Sequence, residues 1–199
     1  MGMRQIFVIH GGMAFDSYEQ YFVDLKKSRI DYERLKPRLR WSYWLSQQLP
    51  NDDVLAPTMP NSQNAQYEEW KILFEKLLPM FESHVTLIGH SLGAIFLAKY
   101  LSSHALPIKL DKLIFVSAPY DDEKDESLGS FRLQTQPSFS PTVAQEVHFL
   151  HAKDDEVVIF GELDKYRQTI HFATFHEFEA GNHFFGETFP ELLDIINKK

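Results

Sequence analysis

Residues 85–101 decide the fold and read Val-Thr-Leu-Ile-Gly-His-Ser-Leu-Gly-Ala-Ile-Phe-Leu-Ala-Lys-Tyr-Leu. The apolar run 85–88 predicts a buried strand, and the longer apolar run 94–101 predicts a helix. Between them lies a Gly-x-Ser-x-Gly motif, which therefore falls on a strand-to-helix turn. Such a turn holds the serine hydroxyl out at the top of a sheet. Glycine is required at 89 and 93 because a side chain in so tight a bend would collide with the neighbouring strand and helix.

Short apolar strands alternate with longer amphipathic helices on both sides of this turn. We predict strands near residues 5–9, 53–56, 85–88, 111–117, 147–151 and 172–178. We predict helices near residues 16–26, 37–48, 65–81, 94–103, 158–169 and 187–197. This alternation predicts an α/β fold, a three-layer sandwich with a mainly parallel sheet of about six strands and helices on both faces. The chain leaves little room for a large cap domain.

Length and composition limit the classes of protein to which this chain can belong. The chain has 199 residues, 44% apolar and 24% charged, which is typical of one folded domain spanning residues 1–199. No apolar run approaches the roughly 20 residues of a membrane span, so we expect no membrane partner. The first residues lead directly into a strand, so we expect no signal sequence and a cytoplasmic protein. A net charge of −8 without a conspicuous Lys/Arg-rich stripe argues against nucleic acid as a partner.

Cysteine and histidine usage bears on metals and cofactors. The chain has no cysteine, which excludes a disulfide, a thiolate nucleophile and a cysteine–zinc site. Nine histidines raise the question of a metal, but no His-x-x-x-His pair or Glu-rich ligand cluster is present. We therefore expect no metal and no other cofactor.

Three kinds of polar residue follow predicted strands. Ser91 follows the third strand, Asp154 and Asp155 follow the fifth, and His183 follows the sixth. Ligands collect at the carboxyl ends of parallel strands, so these side chains are expected at one edge of the sheet. The order Ser, Asp, His along the chain is that of an α/β-hydrolase triad.

The residue types assign the chemical roles. A serine hydroxyl needs a base to take its proton during attack, and His183 is the candidate base for Ser91. A carboxylate on the other ring nitrogen would orient the imidazole, and we favour Asp155 over Asp154 for this role. Alternatively, both aspartates cap the following helix. Residues 121–122, after the fourth strand, are a less favoured source of the acid.

An oxyanion hole requires two backbone donors. The first is the amide of Leu92, directly after the nucleophile. The second is expected from the loop after the first strand, at Gly12 or Met13. His10, at the start of that loop, is expected to line the pocket.

Aromatic residues near these loops are candidates for an apolar acyl pocket. They flank the oxyanion loop and the candidate histidine, and they are Phe15, Phe184 and Phe185. The alternative is that these rings pack beneath the loops. The acidic run 121–126 is expected to be a solvated loop or to border the entrance.

Several segments together resemble the α/β-hydrolase superfamily. They are the Gly-His-Ser-Leu-Gly turn, the Asp-Asp-Glu-Val-Val stretch at 154–158 and the Gly-Asn-His-Phe turn at 181–184. The proline-containing link at 56–61, which leads to Tyr67, resembles compact serine hydrolases of the retinoblastoma-binding protein nine type. That resemblance implies a Ser91–Asp155–His183 triad acting on ester-like substrates. Residues 24–40 are long and charged for such a protein and predict either an extended helix or a flap over the site.

The predicted function is hydrolysis of a small-molecule acyl ester, a thioester or a small amide through an acyl-enzyme. An acyltransferase would differ only by excluding water and admitting another acceptor. A non-catalytic module that binds a protein partner on a hydrolase scaffold is the alternative from another class.

Overall fold

In the computed structural model, parallel strands form one central sheet; residues 3–30, 32–36, 39–121 and 127–198 are described. The strands are Gln5–Ile9 (β1), Asp53–Leu55 (β2), Val85–His90 (β3), Leu110–Val116 (β4), Ala144–Ala152 (β5) and Thr174–Phe178 (β6). Their order across the sheet is β2-β1-β3-β4-β5-β6, and every neighbouring pair is parallel. The α/β fold predicted from the sequence is confirmed.

Helices connect the strands and cover the sheet. They are Tyr18–Lys27 (α1), Trp41–Gln48 (α2), Tyr67–Leu77 (α3), Leu92–Leu101 (α4), Gly161–Thr169 (α5) and Pro190–Asn197 (α6). Helix α2 begins at Trp41 rather than at residue 37, which lies outside the described residues. None of the helices in the described ranges is long and apolar enough to cross a membrane.

Two apolar cores lie on opposite faces of the sheet and make the structure three-layered. On one face, α2 and α6 pack on the strands and bury side chains such as Trp41, Leu45 and Ile196. On the other face, α3, α4 and α5 form a larger core around Trp70 and Tyr166. Burying both faces removes the apolar side chains of a parallel sheet from water, which is the main stabilising contribution in such a fold.

Aromatic side chains on one face of α3 fix the position of α4. Tyr67, Trp70 and Phe74 of α3 are buried at helical spacing. Their ring centroids lie 5.6, 5.8 and 5.4 Å from that of Phe96 in α4, within the range of favourable aromatic pairs. The helix that follows the Gly-x-Ser-x-Gly turn is therefore anchored on the core side.

The turn itself brings three backbones into contact. A Cβ atom on Gly89 would lie 2.6 Å from the carbonyl oxygen of Gly93 and 2.7 Å from the Cα of Ala94. A Cβ atom on Gly93 would lie 2.7 Å from the carbonyl oxygen of His10, just after β1. The two glycines thus allow β1, β3 and α4 to approach one another, as expected for this motif.

We expect Gly89→Ala to lower the free energy of unfolding by about 1–3 kcal/mol, because the added methyl overlaps backbone atoms that cannot rotate away. The matched control is Gly161→Ala at the start of α5, where the nearest atom to an added Cβ is 4.0 Å away. Urea denaturation of the two variants measures the difference. Equal stability of the two alanine variants would contradict the close approach described for the turn.

Candidate active site

Ser91 occupies a strained backbone position between β3 and α4. Its φ and ψ are 55° and −123°, a region that a residue with a side chain rarely adopts. Its amide donates to the carbonyl of Val116 at 2.9 Å, and its carbonyl accepts from the amide of Ala94 at 2.8 Å. The surrounding backbone therefore imposes this conformation and holds the serine at the carboxyl end of β3.

The loop after β1 packs directly on this serine. A Cβ atom on Gly11 would lie 2.8 Å from the Cβ and 3.3 Å from the Oγ of Ser91. Only a glycine backbone can approach the hydroxyl so closely. The chain runs from β1 outward to β2 and then returns to β3 on the other side of β1, so β1 and β3 flank a topological switch point. Ligands of parallel sheets bind at such points.

The candidate oxyanion donors lie on either side of Ser91. Leu92 is the first residue of α4, where backbone amides have no acceptor within the helix. Of the two candidates in the β1 loop, the amide of Met13 donates to the carbonyl of Ser62 at 2.8 Å. That bond commits the Met13 amide to the loop, so Gly12 is the better candidate for the second donor.

His183 and Asp155 form a buried pair. Nδ1 of His183 lies 2.9 Å from Oδ2 and 3.1 Å from Oδ1 of Asp155. Both side chains are almost completely excluded from solvent. An imidazole held by its Nδ1 in this way presents its Nε2 to another group.

The Asp155 carboxylate accepts further hydrogen bonds. Ser117 Oγ donates to it at 2.7 Å, and the amides of Val157 and Val158 donate at 2.9 Å. Burial by itself raises the pKa of this carboxyl, but the hydrogen bonds and the charge of His183 outweigh burial and leave the pKa lowered. Sequence reasoning missed Ser117, although a polar residue directly after β4 was the available signal.

Asp154 has a different contact from Asp155. Its carboxylate accepts from the backbone amide of Asn182 at 2.7 Å, and the Asn182 side chain accepts from the amide of His183 at 2.7 Å. Asp154 therefore holds the loop that carries His183, whereas Asp155 contacts the imidazole. Asp121 instead binds Lys165 at 2.8 Å, and residue 122 lies outside the described residues.

His90 connects the serine turn to the histidine loop. Its Nε2 donates to the backbone carbonyl of His183 at 2.8 Å, and the two ring centroids are 5.0 Å apart. Burial and the nearby charge of His183 lower the pKa of His90 to about 3, so this imidazole is neutral near neutral pH. Because His90 immediately precedes Ser91, this bond links the loop that carries the candidate base to the turn that carries the candidate nucleophile.

His10 organises the loop after β1. Its Nε2 accepts from the amide of Met59 at 2.8 Å, so Nδ1 carries the proton and donates to the carbonyl of Gly11 at 2.6 Å. Burial lowers the pKa of His10 and favours this neutral form. Both nitrogens are thus engaged in holding the loop. Within the described ranges, no group of three or more His, Asp or Glu side chains is arranged to hold a metal ion.

The three phenylalanines considered for an acyl pocket lie in different surroundings. Phe184 is buried and stacks on Phe189 at 4.5 Å between centroids, so it belongs to the core beneath the loop and not to a pocket. Phe185 is 68% exposed, with its ring 4.9 Å from that of His183. Phe15 lies against α1, where its ring contacts that of Tyr21. Of these three rings, that of Phe185 is the one in contact with the imidazole of His183.

Solved structures share the fold over nearly the whole chain. The ydeN gene product from B. subtilis superposes with a TM-score of 0.74 at 23% identity, covering 98% of this chain and 97% of that one. A putative YdeN-like hydrolase from Pectobacterium atrosepticum gives 0.63 at 14% identity, with 97% and 89% covered. The thioesterase domain from the curacin biosynthetic pathway gives 0.60 at 12% identity, with 98% and 90% covered.

Comparison with protein-family models identifies the family of the chain as well as its fold. The model of the family described as serine hydrolase matches residues 33–187, which include the Ser91 turn, Asp155 and His183. That span is well over half of the chain, and the superposed structures have the same α/β-hydrolase architecture. The chain therefore belongs to the serine hydrolase family of the α/β-hydrolase superfamily.

Proposed function

We propose that this serine hydrolase cleaves a carboxylic ester or thioester through an acyl-enzyme on Ser91, with His183 as the base and Asp155 as its partner. The observation that carries the proposal is the buried His183–Asp155 pair, tied through His90 to the strained turn of Ser91. A pair of this kind activates a serine that is otherwise a weak nucleophile.

In the acylation step, Ser91 Oγ forms a bond to the acyl carbon while its proton moves to Nε2 of His183. The bond to the leaving group then breaks, and the imidazolium returns the proton to the departing oxygen or sulfur. A water molecule then gives a proton to His183 as its oxygen attacks the acyl carbon. The bond from that carbon to Ser91 Oγ breaks, and the imidazolium returns the proton to Oγ as the acid is released. Asp155 stabilises the imidazolium throughout, which requires an ionised carboxylate. Its lowered pKa supports that role.

The negative oxygen of the tetrahedral intermediate needs donors that are in place before reaction. The amides of Leu92 and Gly12 are our candidates, and the amino end of α4 adds a favourable dipole. Each such donor is typically worth about 2.7–4 kcal/mol in the transition state. His10 would act here as a positioning residue because it bonds to the carbonyl of Gly11 in the same loop.

The surroundings of His183 support an apolar acyl group. Phe185 lies beside the imidazole and is largely exposed, and Met13 is exposed at the end of the oxyanion loop. An acyl chain in contact with these side chains would bury apolar surface on both partners, which favours binding.

Labelling and stability measurements test the role of Ser91. Incubation with a fluorophosphonate should add one adduct to the wild type, seen by intact-mass measurement, and none to Ser91→Ala or Ser91→Gly. Ser91→Gly should also be about 1–3 kcal/mol more stable than Ser91→Ala, because glycine tolerates the strained φ and ψ at this position. An adduct on Ser91→Ala, or loss of its cooperative unfolding, would contradict the role and the placement of the serine.

The two neighbouring aspartates allow a matched comparison. Asp155→Asn should lower kcat for a p-nitrophenyl ester by about 10⁴-fold, because the imidazole loses the carboxylate that fixes its tautomer. Asp154→Asn changes a contact to a loop amide only, and we expect less than about a tenfold loss. Similar losses in the two variants would exclude Asp155 as the specific partner of His183.

The lowered pKa of His90 predicts that the free energy of unfolding depends on pH. Its pKa is about 3 in the folded chain and about 6.5 when unfolded, so between these values only the unfolded state binds a proton. The free energy of unfolding therefore falls as the pH is lowered from about 6.5 towards 3, by up to about 1.4 kcal/mol per pH unit from this group.

Urea denaturation at several pH values in this window tests the prediction. His90→Gln should remove that part of the slope, since glutamine does not titrate. His171→Gln is the control, because this exposed side chain is in water in both states. An unchanged slope in His90→Gln would mean that His90 does not remain neutral in the folded chain.

A further inference from the structure

Helix α1 presents its apolar side to solvent. Tyr18, Phe22 and Leu25 recur at i, i+4 and i+7 and so share one face of the helix. These three side chains are 44–65% exposed, and α1 contributes no buried residue to either core. A surface helix of a globular protein normally turns such a face inward.

The opposite side of the same helix borders an open cleft and is also exposed. Glu19, Gln20, Val23, Asp24 and Lys27 line this cleft of about 600 Å³ between α1 and the segment around Arg132. At its start, the helix is tied to that segment, because Asp16 accepts from Arg132 at 3.1 Å. The apolar face of α1 is therefore left exposed, since neither core covers it.

Exposed apolar residues continue beyond α1. Ile30 is 82% exposed, and Tyr32 and Leu35 of the following 3₁₀ turn are also mostly exposed. We call Tyr18, Phe22, Leu25, Ile30, Tyr32 and Leu35 the α1 surface. A concentration of exposed apolar side chains in one short segment of a chain is typical of an interaction surface.

The charge of this part of the chain is opposite to that of the rest. Residues 26–40 hold seven Lys and Arg against two acidic residues, a net charge of +5 in a chain whose total is −8. Among them, Lys26 lies with its Nζ 4.4 Å from the ring centroid of Phe22, and Arg29 is exposed. Acidic residues elsewhere in the chain outnumber these cations, so the net charge of the whole chain is negative.

We propose that the α1 surface docks on an anionic lipid membrane. Apolar side chains would enter the boundary between headgroups and acyl chains, while Lys26 and Arg29 would contact the lipid phosphates. Lys and Arg next to exposed aromatic and aliphatic groups provide both interactions that such docking requires. This would be peripheral binding at the membrane surface. The absence of a long apolar run in the sequence argues against a membrane-spanning helix but not against peripheral binding.

A second copy of the chain is a less suitable occupant. A symmetric contact through the α1 surface would bring the two basic segments together, and like charges facing each other across an interface are costly. A membrane with anionic headgroups supplies opposite charge and apolar depth at the same place.

Docking at this surface would bring lipids close to the proposed active site. Helix α1 begins six residues after Gly12, and Phe15, between them, contacts Tyr21 of α1 at 5.5 Å between centroids. The loop that supplies an oxyanion donor is therefore continuous with the docking helix. Membrane binding itself does not depend on the chemistry of Ser91.

Vesicle sedimentation tests the proposal with the full chain in two forms, wild type and Ser91→Ala. Both should bind vesicles of phosphatidylcholine with phosphatidylglycerol, more weakly at high salt, and bind phosphatidylcholine alone poorly. Binding by Ser91→Ala separates docking from hydrolysis, so a failure of the proposed function leaves this result interpretable.

Two pairs of substitutions identify the surface. Phe22→Gln with Leu25→Gln should weaken vesicle binding at least about tenfold through lost apolar burial. Lys26→Glu with Arg29→Glu should weaken it at least about 25-fold, since each basic residue contributes about fivefold near an anionic surface. Ile72→Gln and Lys76→Glu, at exposed positions on α3, are the matched controls and should bind like the wild type.

Three outcomes would overturn the proposal. The first is no binding to anionic vesicles, and the second is equal binding by the Phe22/Leu25 variant and the Ile72 control. The third is a dimer in sedimentation velocity that is lost in the Phe22/Leu25 variant while no vesicle binding is detected, which would assign the α1 surface to a second copy.

Discussion

The close approach of three backbones at the serine turn is the constraint on which the rest of the site depends. Strands β1 and β3 and helix α4 meet where Gly89 and Gly93 leave no room for a side chain. This contact forces Ser91 into a conformation that costs of order 1–3 kcal/mol, and the aromatic anchoring of α4 on α3 helps to maintain it. Gly11 can then lie against the hydroxyl, so the nucleophile and the oxyanion loop are positioned by one packing arrangement.

Hydrogen bonds between loops position His183 and its neighbours, and most of these bonds involve neutral groups. The candidate base is held at its ring by Asp155 and at its backbone by His90, and Asp154 supports the same loop through Asn182. His90 and His10 are kept neutral by burial and act as rigid donors and acceptors. Asp155 places a buried carboxylate directly against His183, which is where an imidazolium would need a negative charge.

Features that depend on neighbouring residues in the chain were predictable from the sequence, whereas features that depend on distant segments were not. The sheet and the helices around it follow from apolar periodicity, and the strand ends follow from the parallel topology. Residue-level details were less predictable, because they depend on contacts between distant segments. The Met13 amide is taken by Ser62, Phe184 stacks on Phe189, and Ser117 reaches Asp155 from the neighbouring strand. Of the two alternatives for residues 24–40, an extended helix or a flap, the extended helix was wrong, because α1 ends at Lys27.

By itself, the sequence determined the α/β fold, the serine turn and the order of the candidate triad, because each is written in local patterns of residue type and spacing. Tertiary structure alone decided which aspartate contacts His183, since residues 154 and 155 differ only in the direction of their side chains. It also decided the orientation of α1. The amphipathic pattern of that helix predicts an apolar face, but only the packing of distant segments decides that neither core covers this face.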